Sequence, residues 1–234
     1  MIPEIGHFLL WLALGVSVIL GIFPLVGAAR GRDDWMALAK PATYVLFGLV
    51  IAAFGCLVAS FVRHDFSVLY VASNSNTALP LEYRIAGVWG GHEGSLLLWV
   101  QMLTLWMMAV ALFSKHLPLA VQSRILSVMG LVCVGFLLFM LVTSNPFDRL
   151  FPVPADGRDL NPLLQDPGMV AHPPMLYMGY VGMAVPFAFA IGAMLAGEVR
   201  QDAWMLLVRR WMLVSWAFLG AAIIAGMWWS YEVL

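Results

Sequence analysis

Residues 125–143 read Ile125-Leu126-Ser127-Val128-Met129-Gly130-Leu131-Val132-Cys133-Val134-Gly135-Phe136-Leu137-Leu138-Phe139-Met140-Leu141-Val142-Thr143, with no Asp, Glu, Lys, Arg or His among them. As a helix rising 1.5 Å per residue, this stretch is about 28 Å long, close to the ~30 Å hydrocarbon thickness of a bilayer. It is apolar all round, so no face is left for water. Working outward, five more segments of the same kind appear, at 6–28, 42–62, 95–114, 174–196 and 211–229. The one at 95–114 is the least uniform and could begin near Ile85, with an interfacial stretch through Trp89. The whole chain agrees, being 62% hydrophobic and 11% charged, where soluble domains carry roughly 25% charged residues. Its mean hydropathy is +0.90. The expected fold is all-α: a polytopic membrane protein with six transmembrane helices. The start, Met1-Ile2-Pro3-Glu4, lacks a basic n-region and reads as the first span rather than a cleavable signal.

Charge gives the orientation. The connectors 29–41, 115–124 and 197–210 hold Arg30, Arg32, Lys40, Lys115, Arg124, Arg200, Arg209 and Arg210. The alternate connectors hold only Arg63, Arg84, Arg149 and Arg158. The positive-inside rule then places the N-terminus outside, in the periplasm of a bacterial inner membrane. Two outward loops are long, about 63–94 and 144–173. The second has prolines at 146, 152, 154, 162, 167 and 173, too many for one regular helix. It also carries Phe147, Leu150, Phe151, Leu160, Leu163 and Leu164, which predict packing against a surface such as the outer leaflet. Long loops of this kind are functional or disordered. A net charge of -1 excludes the basic face of a nucleic-acid binder. Cys56 and Cys133 fall inside apolar segments without C-x-x-C spacing and read as buried hydrophobes.

The candidate chemistry lies on the outward side. His172 stands in Met169-Val170-Ala171-His172-Pro173-Pro174-Met175, where the long loop enters the fifth span. Pro173 and Pro174 suit the first turn of a helix and stiffen the backbone beside the imidazole. Such a histidine can ligate heme iron, or it can be a structural residue at the interface. His92-Glu93 lies in Val88-Trp89-Gly90-Gly91-His92-Glu93-Gly94-Ser95. Position 96 is leucine, so no H-E-x-x-H zinc motif exists. The His92-Glu93 pair could support a site, and Ser95 could cap the next helix. Trp89, Trp99, Trp106 and Trp228-Trp229 read as an interface belt or as a shelf for a flat apolar cofactor. His7, His64 and His116 read as interfacial or solvated residues.

Two stretches resemble the CcmF/NrfE family of cytochrome c-type biogenesis proteins. One is Leu79-Pro80-Leu81-Glu82-Tyr83 followed by Val88 to Trp99. The other runs through Thr143-Ser144-Asn145-Pro146-Phe147, Gly157 to Gly168, and His172-Pro173-Pro174-Met175-Leu176-Tyr177-Met178-Gly179-Tyr180. The resemblance implies the integral membrane part of a heme lyase that receives heme from a periplasmic heme chaperone and attaches it to apocytochrome c. It also implies thioredoxin-like and apocytochrome-binding partner subunits. His172 matches the family's first outward heme-site histidine, the ligand to heme iron. Trp228 and Trp229 lead toward the heme-handling shelf, with His92, Glu93, Trp89, Pro173 and Pro174 in support.

Family members are far longer. Residues 1–234 correspond to the N-terminal transmembrane region, ending at Trp228-Trp229-Ser230-Tyr231-Glu232-Val233-Leu234. The family's tryptophan-rich segment, second outward histidine and membrane heme b ligands are not expected within them. Lyase activity is therefore not expected from these residues alone. The alternatives are a structural subunit without chemistry of its own and a small-solute transporter. Against transport stand the absence of mid-span charge and of any discontinuous helix legible in the sequence.

Overall fold

The structure is a computed structural model that describes the backbone of residues 1–197 and 201–233 and the side chains of 1–197 and 208–232. Arg200, counted above among the inward cations, lies outside the described residues.

The chain is built of helices α1 (Ile2–Arg30), α2 (Asp33–Met36), α3 (Ala39–Val62), α4 (Leu69–Asn74), α5 (Leu81–Ala86), α6 (His92–Phe113), α7 (Leu119–Thr143), α8 (Pro167–Gly182), α9 (Ala184–Ala196) and α10 (Gln201–Val233). Six helical stretches among the described residues are long and apolar enough to cross a membrane, with α8 and α9 together forming the fifth. The all-α, six-span reading holds. Pro3 sits in the first turn of α1, where a missing N–H costs nothing, and the helix ends at Gly31, whose φ of 66° suits glycine. The stretch before α6 is a short helix and a 3-10 turn, Gly87–Trp89, matching the irregular approach expected from Ile85.

Several boundaries differ from expectation, among them the start of α7 at Leu119 rather than 125. The fifth span begins at Pro167 rather than 174, so Pro173 and Pro174 lie inside α8 and not in its first turn. That span is also divided at Met183, because Pro186 has no N–H to give the Gly182 carbonyl. The expected continuous helix is therefore discontinuous. Finally, α10 starts at Gln201, so most of the supposed 197–210 connector is helix.

Helix α6 is packed by α3, α7, α8 and α9, while α1 lies against α3 and α7. Leu10, Leu20, Leu46, Leu57, Leu97, Leu103, Met107, Ile125, Met129 and Leu137 are fully buried between them. Outward-facing Phe8, Val142, Trp216 and Ile224 are equally apolar and are exposed, as a lipid-facing shell requires. Helix contacts use small and polar residues. Gly130 of α7 lies against Leu20 and Gly21 of α1, and Ser127 Oγ donates to the Leu20 carbonyl at 2.9 Å. Arg124 donates to the Ala28 carbonyl at 3.1 Å, satisfying one of the orphan acceptors at the end of α1.

The two long loops pack on each other. Leu69 N donates to Asp148 O at 2.8 Å, Leu150 N to Ser67 O at 2.9 Å and Arg158 N to Ala72 O at 2.7 Å. Thr77 Oγ1 donates to Asp156 at 2.7 Å, and that bond holds the Asp156 carboxyl below its ordinary range. Arg149 pairs with Glu4 at the start of α1. Phe147 and Leu160 are buried in this layer, but Phe151 and Leu163 are exposed. The loop residues thus divide between an inner and an outer face, and the inner face meets protein.

Tyr70 joins the layer to α6. Its hydroxyl donates to Val88 O at 3.0 Å and accepts from Gly91 N at 2.9 Å, and burial pushes its phenol upward, keeping the proton in place. Gly94 permits the join. A Cβ there would overlap the Val88 carbonyl and come within 2.7 Å of the Tyr70 oxygen. Gly94→Ala is expected to cost about 1–3 kcal/mol of stability, read as a lower midpoint of thermal unfolding in detergent. Gly135→Ala, with nothing within 4 Å, should leave that midpoint unchanged.

Candidate functional site

Helix α8 carries His172 in its second turn. The helix starts cleanly: Asp166 accepts from Gly168 N at 2.7 Å, and Pro167 occupies the first position. Pro173 cannot bond to the Met169 carbonyl one turn back. That acceptor is filled from another helix segment: Trp89 Nε1 donates to Met169 O at 2.9 Å. The bond ties the Val88–Ser95 stretch to the backbone three residues before His172. Trp106 does likewise further down, donating to Met178 O at 3.1 Å.

Helix α10 runs antiparallel along α8 in a close seam. Gly182 lies on Ser215, Gly179 on the backbone of Leu219, and Gly168 on the ring of Trp229. An added Cβ at Gly179 would stand 2.5 Å from Leu219 N, so the two backbones nearly touch. His172 occupies the same seam, with α10 supplying the small residue instead. A Cβ on Gly226 would lie 2.6 Å from His172 Cε1. The ring is therefore clamped by packing.

His172 Nδ1 lies 2.9 Å from Ala222 O. A carbonyl only accepts, so Nδ1 must carry the proton. In a ring protonated at Nδ1 alone, the lone pair lies on Nε2, the arrangement in which histidine binds metals. The Trp229 ring centroid is 5.7 Å from that of His172, tilted by 50°. Its indole N–H is buried without a hydrogen-bond partner among the described residues.

The remaining candidates separate. Trp228 is 53% exposed, because neighbours on a helix point about 100° apart. His92 Nε2 bonds Ser144 Oγ at 3.0 Å, and its ring stands edge-on to Phe139. His92 is thus joined to the end of α7 and not to Glu93. Ser95 does not cap α6. Gly91 holds the cap position, and Ser95 Oγ donates back to Trp89 O at 2.8 Å. Trp99 stacks on Phe136 with centroids 3.6 Å apart. His7 accepts from Trp11 Nε1 at 2.7 Å, an interfacial structural role.

Sequence reasoning missed Ala222 and Gly226, the acceptor and the clearance for His172. Their four-residue spacing on a membrane helix was the available signal for close helix packing. Nothing local marked Met169, whose carbonyl matters only because Pro173 frees it.

Comparison with known proteins identifies the family. A family described as Cytochrome C assembly protein matches residues 89–234. The chain is 56% identical to the cytochrome c-type biogenesis protein CcmF of Pseudomonas aeruginosa over 100% of its own length and 36% of that protein. It is 53% identical to CcmF of Escherichia coli, covering 100% of this chain and 36% of that one. For the NrfE protein of Haemophilus influenzae the identity is 44%, with 100% and 37% covered. The solved structure of a cytochrome c heme lyase CcmF superposes with a TM-score of 0.85 at 31% identity, covering 99% of this chain and 36% of that chain. The chain thus spans about a third of the length of the relatives it matches. With both Trp89 and the clamped His172 inside the matched region, this multi-pass membrane chain belongs to the cytochrome C assembly protein family.

Proposed function

We propose that this chain forms the heme-positioning part of a cytochrome c heme lyase in the bacterial inner membrane, with its N-terminus and long loops in the periplasm. The heme is cargo, received from a periplasmic heme chaperone and joined to apocytochrome c with thioredoxin-like and apocytochrome-binding partner subunits. One observation carries the reading: the single tautomer of His172, held by Ala222 O at 2.9 Å, leaves Nε2 free for iron. No group of three His, Cys, Asp or Glu suited to a metal ion occurs among the described residues. A lone imidazole suits iron whose equatorial positions a porphyrin already fills. Trp229 offers an apolar flank to such a ring system.

The task asks for position more than for acid or base. Thioether formation joins heme vinyl groups to substrate thiols, so this chain needs no cysteine of its own. His172 would fix the iron, and Trp89 would brace α8 through Met169 O. Holding reactants in place supplies much of the rate in such a step.

The test is deletion of the locus, followed by a peroxidase stain for covalent heme after denaturing electrophoresis. Loss of the c-type bands with heme b retained is the expected result. Adding back residues 1–234 alone then measures how much of that activity these residues carry. Intact c-type bands in a strain without a second lyase copy would overturn the assignment.

A further inference from the structure

At the end of the molecule opposite the long loops, α6, α8, α9 and α10 line a cleft of about 1210 Å³. This exceeds the ~300–1,000 Å³ common for small-molecule pockets. Its floor and walls are apolar, with Trp106, Ala109, Phe113 and Phe218 among them. Its rim is polar and cationic: Arg209 and Arg210 from α10, and His116 just past the end of α6. No Asp or Glu lines it among the described residues.

The depth is informative. Leu105 to Phe113 on α6 and Arg210 to Phe218 on α10 each rise about 12 Å at 1.5 Å per residue. That is close to one leaflet of a ~30 Å hydrocarbon core. The cationic rim thus sits at headgroup level, with an apolar slot one leaflet deep below it. The slot opens sideways, since Phe113 is 71% exposed and Leu213 52%. Basic pockets between spans at the positive face of a membrane suit anionic lipid headgroups.

We propose that this cleft is a binding site for one anionic phospholipid, with its phosphate at Arg209 and Arg210 and an acyl chain along Trp106 and Ala109. The charge pattern selects this occupant over a further protein helix. No carboxylate faces the two adjacent arginines among the described residues, and a phosphodiester satisfies both, which an apolar helix end would not. The bound lipid fills the gap between α6 and α10 and so steadies the helix that clamps His172 at its other end.

The test is native mass spectrometry of the detergent-purified protein, titrated with dioleoyl phosphatidylglycerol or dioleoyl phosphatidylethanolamine. The expected result is one retained phosphatidylglycerol, favoured at least about tenfold over phosphatidylethanolamine. At about 1 kcal/mol per basic residue, the double variant Arg209→Gln/Arg210→Gln should weaken phosphatidylglycerol retention roughly thirtyfold and leave phosphatidylethanolamine unchanged. Arg209→Lys/Arg210→Lys should keep most of the preference. Equal retention of the two lipids by the unaltered protein overturns the proposal, as does retention insensitive to the glutamine pair. A second copy or another protein chain in the cleft, with no lipid retained, also overturns it.

Discussion

His172→Ala at the native locus is expected to lower covalent heme in c-type cytochromes at least tenfold while membrane insertion and protein level stay normal. The magnitude follows from the ligand role. Even losing a contact that supports a metal ligand costs about 10–100-fold in affinity, and on the proposed reading the ligand itself is removed. The side chain is half-buried and makes one inter-helix hydrogen bond, to Ala222 O. Its deletion therefore takes little from the fold as a whole. Imidazole supplied in the medium separates ligand from scaffold. It should partly restore heme attachment in the alanine variant if the lost group bound iron, and it should do nothing if His172 only held α8 to α10. Normal c-type bands at equal protein level would remove His172 from the site.

Gly226→Val is expected to be nearly as damaging, although valine touches no heme. Its Cβ would stand 2.6 Å from His172 Cε1, so the ring must leave its place and lose the bond to Ala222 O. Without that bond, neither the tautomer nor the direction of Nε2 is held. The expected loss is about 10–100-fold in heme retained by the purified protein, the range for losing a group that orients a metal ligand. Gly220→Ala is the control. It lies on the same helix with nothing within 4 Å, so retention should not change. Equal heme retention in Gly226→Val and the parent protein would show that orientation of His172 is irrelevant.

The fold was legible because a membrane leaves so few choices. Backbone polar groups in hydrocarbon must be paired within the segment, so a long apolar run is a helix. Helices α1, α3 and α6 accordingly fall within four residues of the spans read from the residues, while α7 begins six residues early, at Leu119. The errors cluster at prolines. Pro167 starts a helix seven residues before the expected boundary at 174, because Asp166 caps it and loop-like composition hid the first turns. The opposite case is Pro186, which interrupts a run that hydropathy alone reads as continuous.

At the site, residue type identified the candidates, and packing sorted them. His172 stood out because a histidine beside two prolines is unusual at a membrane surface. Trp228 and Trp229 were indistinguishable in the sequence, yet the helix turns one outward and lays the other on Gly168. His92 and Glu93 looked like a pair, but consecutive helical residues diverge and Ser144 is the partner His92 finds. The loop residues Phe147 and Phe151 are alike in chemistry, and one is buried while the other is exposed.

What the sequence determined alone is therefore the six spans and the candidate ligand, since both follow from hydropathy, charge and residue type along the chain. What the tertiary structure decided is the state of that ligand. A carbonyl fifty residues away sets which nitrogen of His172 carries the proton, and a glycine on the same distant helix gives the ring its room. Hydrogen bonds and steric clearance depend on distances of a few ångströms, and only the packing of α10 against α8 brings those atoms within reach.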